Sequence, residues 1–130
     1  MPSPLVLDHI GIMGPSLDAL ASAYECLGFR LAPLSQHHGA RTPGGPVEKW
    51  GTGNRCIMLR EGYLELLSVV DPSLFDNRVP QYLARYHGAH IVAFGCDDPE
   101  AEAARLKAGG HAEGVARLER PLGDAPEDPK

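Results

Sequence analysis

Cysteine is scarce in this 130-residue sequence, tryptophan occurs once, and no long apolar run is present. Each shortage excludes something. Cys26, Cys56 and Cys96 are odd in number and widely spaced. They form neither a disulfide framework nor a zinc knuckle, and they read as reduced packing or surface thiols. No apolar stretch approaches the roughly 18 residues of a membrane span. The start "MPSPLVLDHI" lacks the charged-then-apolar layout of a signal peptide. The expectation is therefore a cytoplasmic protein with no membrane partner. Basic residues are outnumbered: 12 Lys and Arg face 17 Asp and Glu, for a net charge of −5, and no basic run occurs. Nucleic acid is not an expected partner. "GTGN", residues 51–54, has neither the Lys-Ser/Thr of a phosphate loop nor the strand-to-helix setting of a dinucleotide fingerprint. No nucleophile elbow occurs either.

What is present suits one compact domain, residues 1–120, with an ordinary 43% of hydrophobic residues. The tail "PLGDAPEDPK", residues 121–130, is proline-rich and acidic with little to bury, which predicts disorder. "PLVLDHIGIM" alternates, predicting a strand over Leu5 to Met13 with His9 on one face and Asp8 on the other. Ser16 is a good N-cap for a helix whose apolar stripe runs through Leu17, Leu20, Ala21, Tyr24 and Leu27, and Gly28 suits its end. "FRLAPL" reads as a second strand, and "SQHHGARTPGGPVEK" as a long loop in which His37 and His38 are solvated. "NRCIMLREGYLELLSVV" reads as a hairpin turning at Glu61-Gly62, and a short helix is expected near Pro80 to Tyr86.

Then the pattern restarts. "AHIVAFG" is a strand and "DDPEAEAARLKAGG" a helix, with Asp98 as cap and Pro99 at the first helical position. "VARLER" is a candidate last strand. Adding 81 takes His9 to His90, Ile10 to Ile91, Gly14 to Gly95, Ala23 to Ala104 and Gly28 to Gly109. The order strand, cap, helix, glycine stop appears twice, so an internal repeat is the natural reading. Module one spans about residues 5–70. Module two spans about 88–119 and is short by roughly two strands.

Glu65 is the unusual residue, a carboxylate flanked by Leu64, Leu66 and Leu67. It lies on an exposed sheet face, pairs with Arg55 or Arg60, or lines a site. His9 and His90, at matching positions of the repeat, are the histidines of interest. Trp50, Asn54 and Tyr63 are candidates for substrate contact or for packing. His111 and the Asp97-Asp98 pair read as helix-end residues.

The stretches "LDHIGIMGPSLDALASAYECLGFRL", "GTGNRCIMLREGYLELLSVVDP" and "GAHIVAFGCDDPEAEAARLKAGGH" resemble the vicinal-oxygen-chelate superfamily of glyoxalase I, bleomycin-resistance proteins and extradiol dioxygenases. Within it they look most like glyoxalase-like domain proteins. The resemblance covers about residues 5–70 and 88–111. It implies an α+β fold in which paired β-α-β-β-β modules curl into a cup, here with an incomplete second module. Ligands come from the first and fourth strands of each module, which implies His9, Glu65 and His90. The fourth ligand falls on a strand this chain lacks. The implied cofactor is a divalent metal ion, Zn, Fe, Mn or Ni, and the implied partner is a small molecule. The implied function is a metal-dependent lyase, isomerase or dioxygenase acting on vicinal oxygens, with Glu65 as a catalytic candidate. The alternative is a metal-free protein that sequesters a small molecule. The missing strands belong to a longer parent, come from a second subunit in a homodimer, or have been lost. The first is favoured, and a dimer is expected if the chain is stable alone.

Overall fold

The alternating run at Val6–Met13 forms β1, the first strand of the computed structural model, which describes residues 4–111 and 118–119. Ser16 caps α1 (Leu17–Cys26): its hydroxyl accepts the Ala19 N–H at 3.2 Å. Leu17 and Ala21 turn inward from that helix, and Gly28, at φ +96°, takes the left-handed position that ends it.

The expected second strand over residues 29–34 does not form. Pro33 has no N–H to give a ladder. The segment is instead tied down by Ala32 N–H to Cys56 O (2.8 Å) and Arg55 Nε–H to Ala32 O (2.9 Å). β2 is Ser35–Ala40, inside the stretch read as a loop, and it pairs antiparallel with β3 (Val47–Met58). The turn between them is Thr42-Pro43-Gly44-Gly45. Gly45 N–H donates to Thr42 O at 3.0 Å and Gly44 has φ +76°. Proline then glycine at the two central positions suits a type II turn. The second hairpin is as expected but wider, joining Met58 to Tyr63 at the start of β4 (Tyr63–Val69). α2 (Val79–Leu83), β5 (Gly88–Gly95), α3 (Pro99–Ala108) and β6 (Leu118–Glu119) follow. Asp98 caps α3 through the Ala101 N–H at 3.1 Å. The 121–130 tail, and the rest of "VARLER" beyond Leu118–Glu119, lie outside the described residues.

The strands make one sheet in the order β5-β1-β4-β3-β2-β6. Only β1 and β4 run parallel; the other pairs are antiparallel. The fold is α+β: one complete β-α-β-β-β module, then a second of which the described residues show β5, α3 and the two-residue β6. One sheet face meets α1 through Leu17, Ile57 and Leu66, with Ile12, Leu20 and Tyr24 around them. The opposite face carries His9, Met13, Glu65 and Leu67. At one end it is closed by Val79 and Leu83 of α2 packing on Met13, Leu67 and Ile91. Among the described residues, nothing pairs with the outer edge of β5, and no residue of α3 is buried.

Candidate functional site

Strand alternation places Trp50, Thr52, Asn54 and Cys56 of β3 on the same face as Glu65 and Leu67 of β4, because Cys56 pairs with Glu65 and Asn54 with Leu67. On β1 the same face shows His9 and Gly11, paired with Tyr63 and Glu65. Together these strands frame an open cavity of about 520 Å³. Gly11 matters here, since a Cβ on it would meet the Ile91 side chain at 2.8 Å.

Glu65 sits at the floor of this cup, 9% exposed. Arg55, its suggested partner, lies on the helix face and reaches Ala32 O and Glu25 instead. Glu65 Oε2 accepts from Asn54 Nδ2 at 2.6 Å. His37 Nε2 lies 3.5 Å from Oε2, and His9 Nε2 lies 3.8 Å from Oε1. Burial, the largest single influence, pushes the carboxyl pKa up. Hydrogen bonding from His37 and Asn54 and the charges of His37 and His9 together outweigh it and hold the pKa below its ordinary 4.5. Glu65 is therefore an anion at neutral pH.

Both neighbouring imidazoles are held from behind. His9 Nδ1 lies 2.7 Å from Asp8 Oδ2, and its ring stacks on Tyr63 with centroids 4.4 Å apart. A carboxylate only accepts, so Asp8 claims the Nδ1 proton. His9 Nε2 is then the ring nitrogen turned to Glu65. Strand alternation points Asp8 away from His9; the β1–β5 register shifts between Leu7 and His9, and such an irregularity re-aims a side chain. His37 Nδ1 lies 2.8 Å from Thr52 Oγ1, and its Nε2 lies 3.0 Å from Asn54 Nδ2. Nε2 of His37 cannot accept from that amide and donate to Glu65 at once. The ring is held at both nitrogens, by Thr52 and by the Asn54 amide, with Nε2 turned toward Glu65.

Of the three sequence-derived ligands, the structure brings His9 and Glu65 together and leaves His90 outside. His90 stacks on Tyr86, with centroids 4.0 Å apart, and its Nε2–H donates to Tyr86 O at 2.8 Å. The cup face of β5 belongs to Ile91 and Ala93, which pair with Gly11 and His9. His90 falls at the register shift between Ile91 and Ala89 and does not line the cavity. His37, read as a solvated loop residue, stands in its stead at the site. The available signal was the Pro-Gly turn after "SQHHGA", which marks a reversal of the chain but not the pairing that brings His37 to the site. Among the described residues, no group of three or more histidine, cysteine, aspartate and glutamate side chains could hold a metal ion. The site's potential donors are the Glu65 carboxylate with His9 Nε2 at 3.8 Å and His37 Nε2 at 3.5 Å.

A glyoxalase-like domain family model matches residues 7–126. The chain belongs to that family. This glyoxalase-like domain also overlays a variant of Streptomyces coelicolor methylmalonyl-CoA epimerase in complex with 2-nitronate-propionyl-CoA. The TM-score is 0.58 at 27% identity, over 82% of this chain and 72% of the other. A methylmalonyl-CoA epimerase in complex with methylmalonyl-CoA and NH4+ gives 0.58 at 25% identity, over 85% and 72%. A hypothetical protein from Bacillus halodurans C-125 gives 0.57 at 22%, over 82% and 69%, and shows the fold alone. These likenesses place the domain in the vicinal-oxygen-chelate superfamily. No curated protein matches it in sequence.

Proposed function

We propose that this glyoxalase-like domain is a cation-dependent enzyme acting on a small molecule with two neighbouring oxygens, by proton transfer at the carbon beside a carbonyl. The observation that carries the reading is His9 Nε2 standing 3.8 Å from the Glu65 carboxylate at the floor of the cup, with the other ring nitrogen 2.7 Å from Asp8. A shared proton or a cation can bridge such a pair. His9 and Glu65 would hold the cation. A bound cation supplies Lewis-acid polarisation of the oxygens. Asp8 keeps His9 in the ligating tautomer, and Tyr63 fixes its ring by stacking. Asn54 orients Glu65 through its 2.6 Å hydrogen bond. Leu67, Ile91 and Ala93 keep the cup wall apolar, which strengthens charge interactions inside it. A histidine and carboxylate set accepts Zn, Fe, Mn or Ni, and availability decides among them. The likeness to the epimerases at 25% and 27% identity supports the reaction class.

The test is metal content together with solvent exchange, on protein purified without chelator or nickel. The expected result is about one divalent ion per chain. Deuterium should also enter beside the carbonyl of small acyl thioesters or dicarbonyl adducts only when the ion is present. Both should be lost in Glu65→Gln. A chain that takes up no ion and exchanges nothing moves the reading to metal-free small-molecule binding. A homodimer is part of the proposal. Its support is the open β5 edge, where Val92 and Phe94 are 59% and 55% exposed. A monomeric solution mass contradicts it.

A further inference from the structure

We infer that Trp50 is a specificity-determining residue of the cup: its buried indole N–H donates to an uncharged carbonyl oxygen, such as that of an amide, at the end of the bound molecule away from Glu65. This rests on the reading above that a small molecule with a reacting carbonyl enters the cup, and it adds how the other end of that molecule is held.

Three observations carry the assignment. First, among the described residues Trp50 Nε1 is the one buried side-chain nitrogen or oxygen without a hydrogen-bond partner, and Trp50 lines the cavity. An unpaired buried donor costs stability, so one kept in a cavity wall asks for an acceptor from the cavity's occupant. Second, the rest of Trp50 is pinned. Its carbonyl accepts from Gln36 Nε2 at 2.8 Å, and Phe75 meets its ring edge-on with centroids 4.9 Å apart. The next residue, Gly51, donates its N–H to Phe75 O at 2.7 Å, and a Cβ there would collide with Asp71 O. The indole is therefore preorganised, with no freedom to turn to another partner. Third, from Gln36 to His38 the strand partners step from Gly53 to Lys49, two residues of β2 against four of β3, and Trp50 and Gly51 lie in that bulge. Bulges recur beside active sites, where they re-aim a side chain.

The place and polarity of this wall define the acceptor. Trp50 precedes Asn54, the hydrogen-bond partner of Glu65, by four residues, roughly 13 Å along a strand at about 3.3 Å per residue. The indole therefore meets the part of the occupant away from the reacting carbonyl. No Lys or Arg lines the cavity among the described residues, and Glu65 already places a negative charge at its floor. A phosphate or carboxylate beside Trp50 would be buried without a counter-charge, whereas one N–H suffices for an amide or ester oxygen. Asn77 borders the same cavity just ahead of α2. It and Arg78 hold φ of +47° and +64°, a left-handed pair of the kind that persists at ligand clamps. A site that commits a buried donor to one acceptor rejects the analogue that lacks it, because the donor is then left unpaired.

Trp50 is the only tryptophan in the chain, so its indole N–H gives a single resonance in a proton–nitrogen correlation spectrum. The test is titration of the isotope-labelled full chain with three propionyl thioesters. That of N-acetylcysteamine carries an amide, that of ethanethiol no second acceptor, and that of thioglycolate a carboxylate. The amide thioester should move the indole resonance downfield and saturably. The ethyl thioester should leave it in place and bind about three- to tenfold more weakly. Trp50→Phe, checked for folding by circular dichroism, should remove that preference, which a packing role alone would not do. An indole resonance that no thioester moves, a preference kept in folded Trp50→Phe, or tighter binding of the carboxylate overturns the inference. The resonance alone decides if Trp50→Phe misfolds. If no ion-dependent deuterium exchange occurs while the amide thioester still moves the indole resonance, the proposed function fails and this inference stands. If exchange occurs and the resonance stays still, this inference fails and the proposed function stands.

Discussion

His9 and His90 each precede an isoleucine in a β-strand, and their strands are neighbours in the sheet. Their side chains part company. His9 faces Glu65 across the cup, while His90 stacks on Tyr86 outside it. One residue makes the difference. The histidines are 81 apart, but the helices Leu17–Cys26 and Pro99–Ala108 are displaced by 82. Under the larger displacement the strand pairs His9–Ala93 and Gly11–Ile91 exchange with one another. The module-two counterpart of His9 is therefore Ile91. A slip of one residue in a strand exchanges its faces, so a repeat matched at the histidines alone assigns the wrong face. The two modules differ in packing as well. α1 buries Leu17 and Ala21 against the sheet, whereas α3 holds its ten residues through its cap, its acidic first turn and the Glu102–Arg105 pair.

The packing contrast predicts the largest effect. Leu66 is 0% exposed beneath α1, so Leu66→Ala should destabilise the chain by about 2–5 kcal/mol. Leu106→Ala on α3, where the side chain is 38% exposed, should change stability by less than about 0.5 kcal/mol. Urea denaturation reads both, and equal losses break the contrast between the modules. The next effect sharpens the contrast in face. Ile91→His puts an imidazole where the repeat lacks one, and it should tighten Co(II) binding by about tenfold or more. No gain in a folded Ile91→His protein contradicts the 82-residue correspondence.

Much of the fold is legible in the sequence, because its signals are local. Ser16 and Asp98 mark their helices by capping, Gly28 ends one, and the alternation in β1 and β4 shows their faces. Glu65 stands out for the same reason, as a carboxylate in a leucine run. The parts that were not legible depend on a partner distant in the chain. β2 is polar and low in β propensity, and it becomes a strand because β3 offers it a ladder. His37 enters the site only with that pairing. Asp8 reaches His9 because the β1–β5 register slips beside it, which no alternation reveals.

A smaller effect follows from Glu65. Its pKa is lower in the folded chain than its ordinary 4.5. Between those two values the unfolded chain binds more protons, so this contribution to stability is complete above pH 4.5 and is lost as pH falls through the folded pKa. Glu65→Gln should remove that part of the acid sensitivity. The gap between its urea midpoint and that of the unaltered protein should narrow from about pH 7 to about pH 3. A gap that widens on acidification contradicts the sign of the shift.

The most direct measurement is the Co(II) affinity of His9→Ala beside that of His90→Ala, both checked for folding and compared with the unaltered chain. The account predicts that His9→Ala loses binding and His90→Ala keeps it in full. Equal losses in the two variants, or a loss in His90→Ala alone, would contradict it.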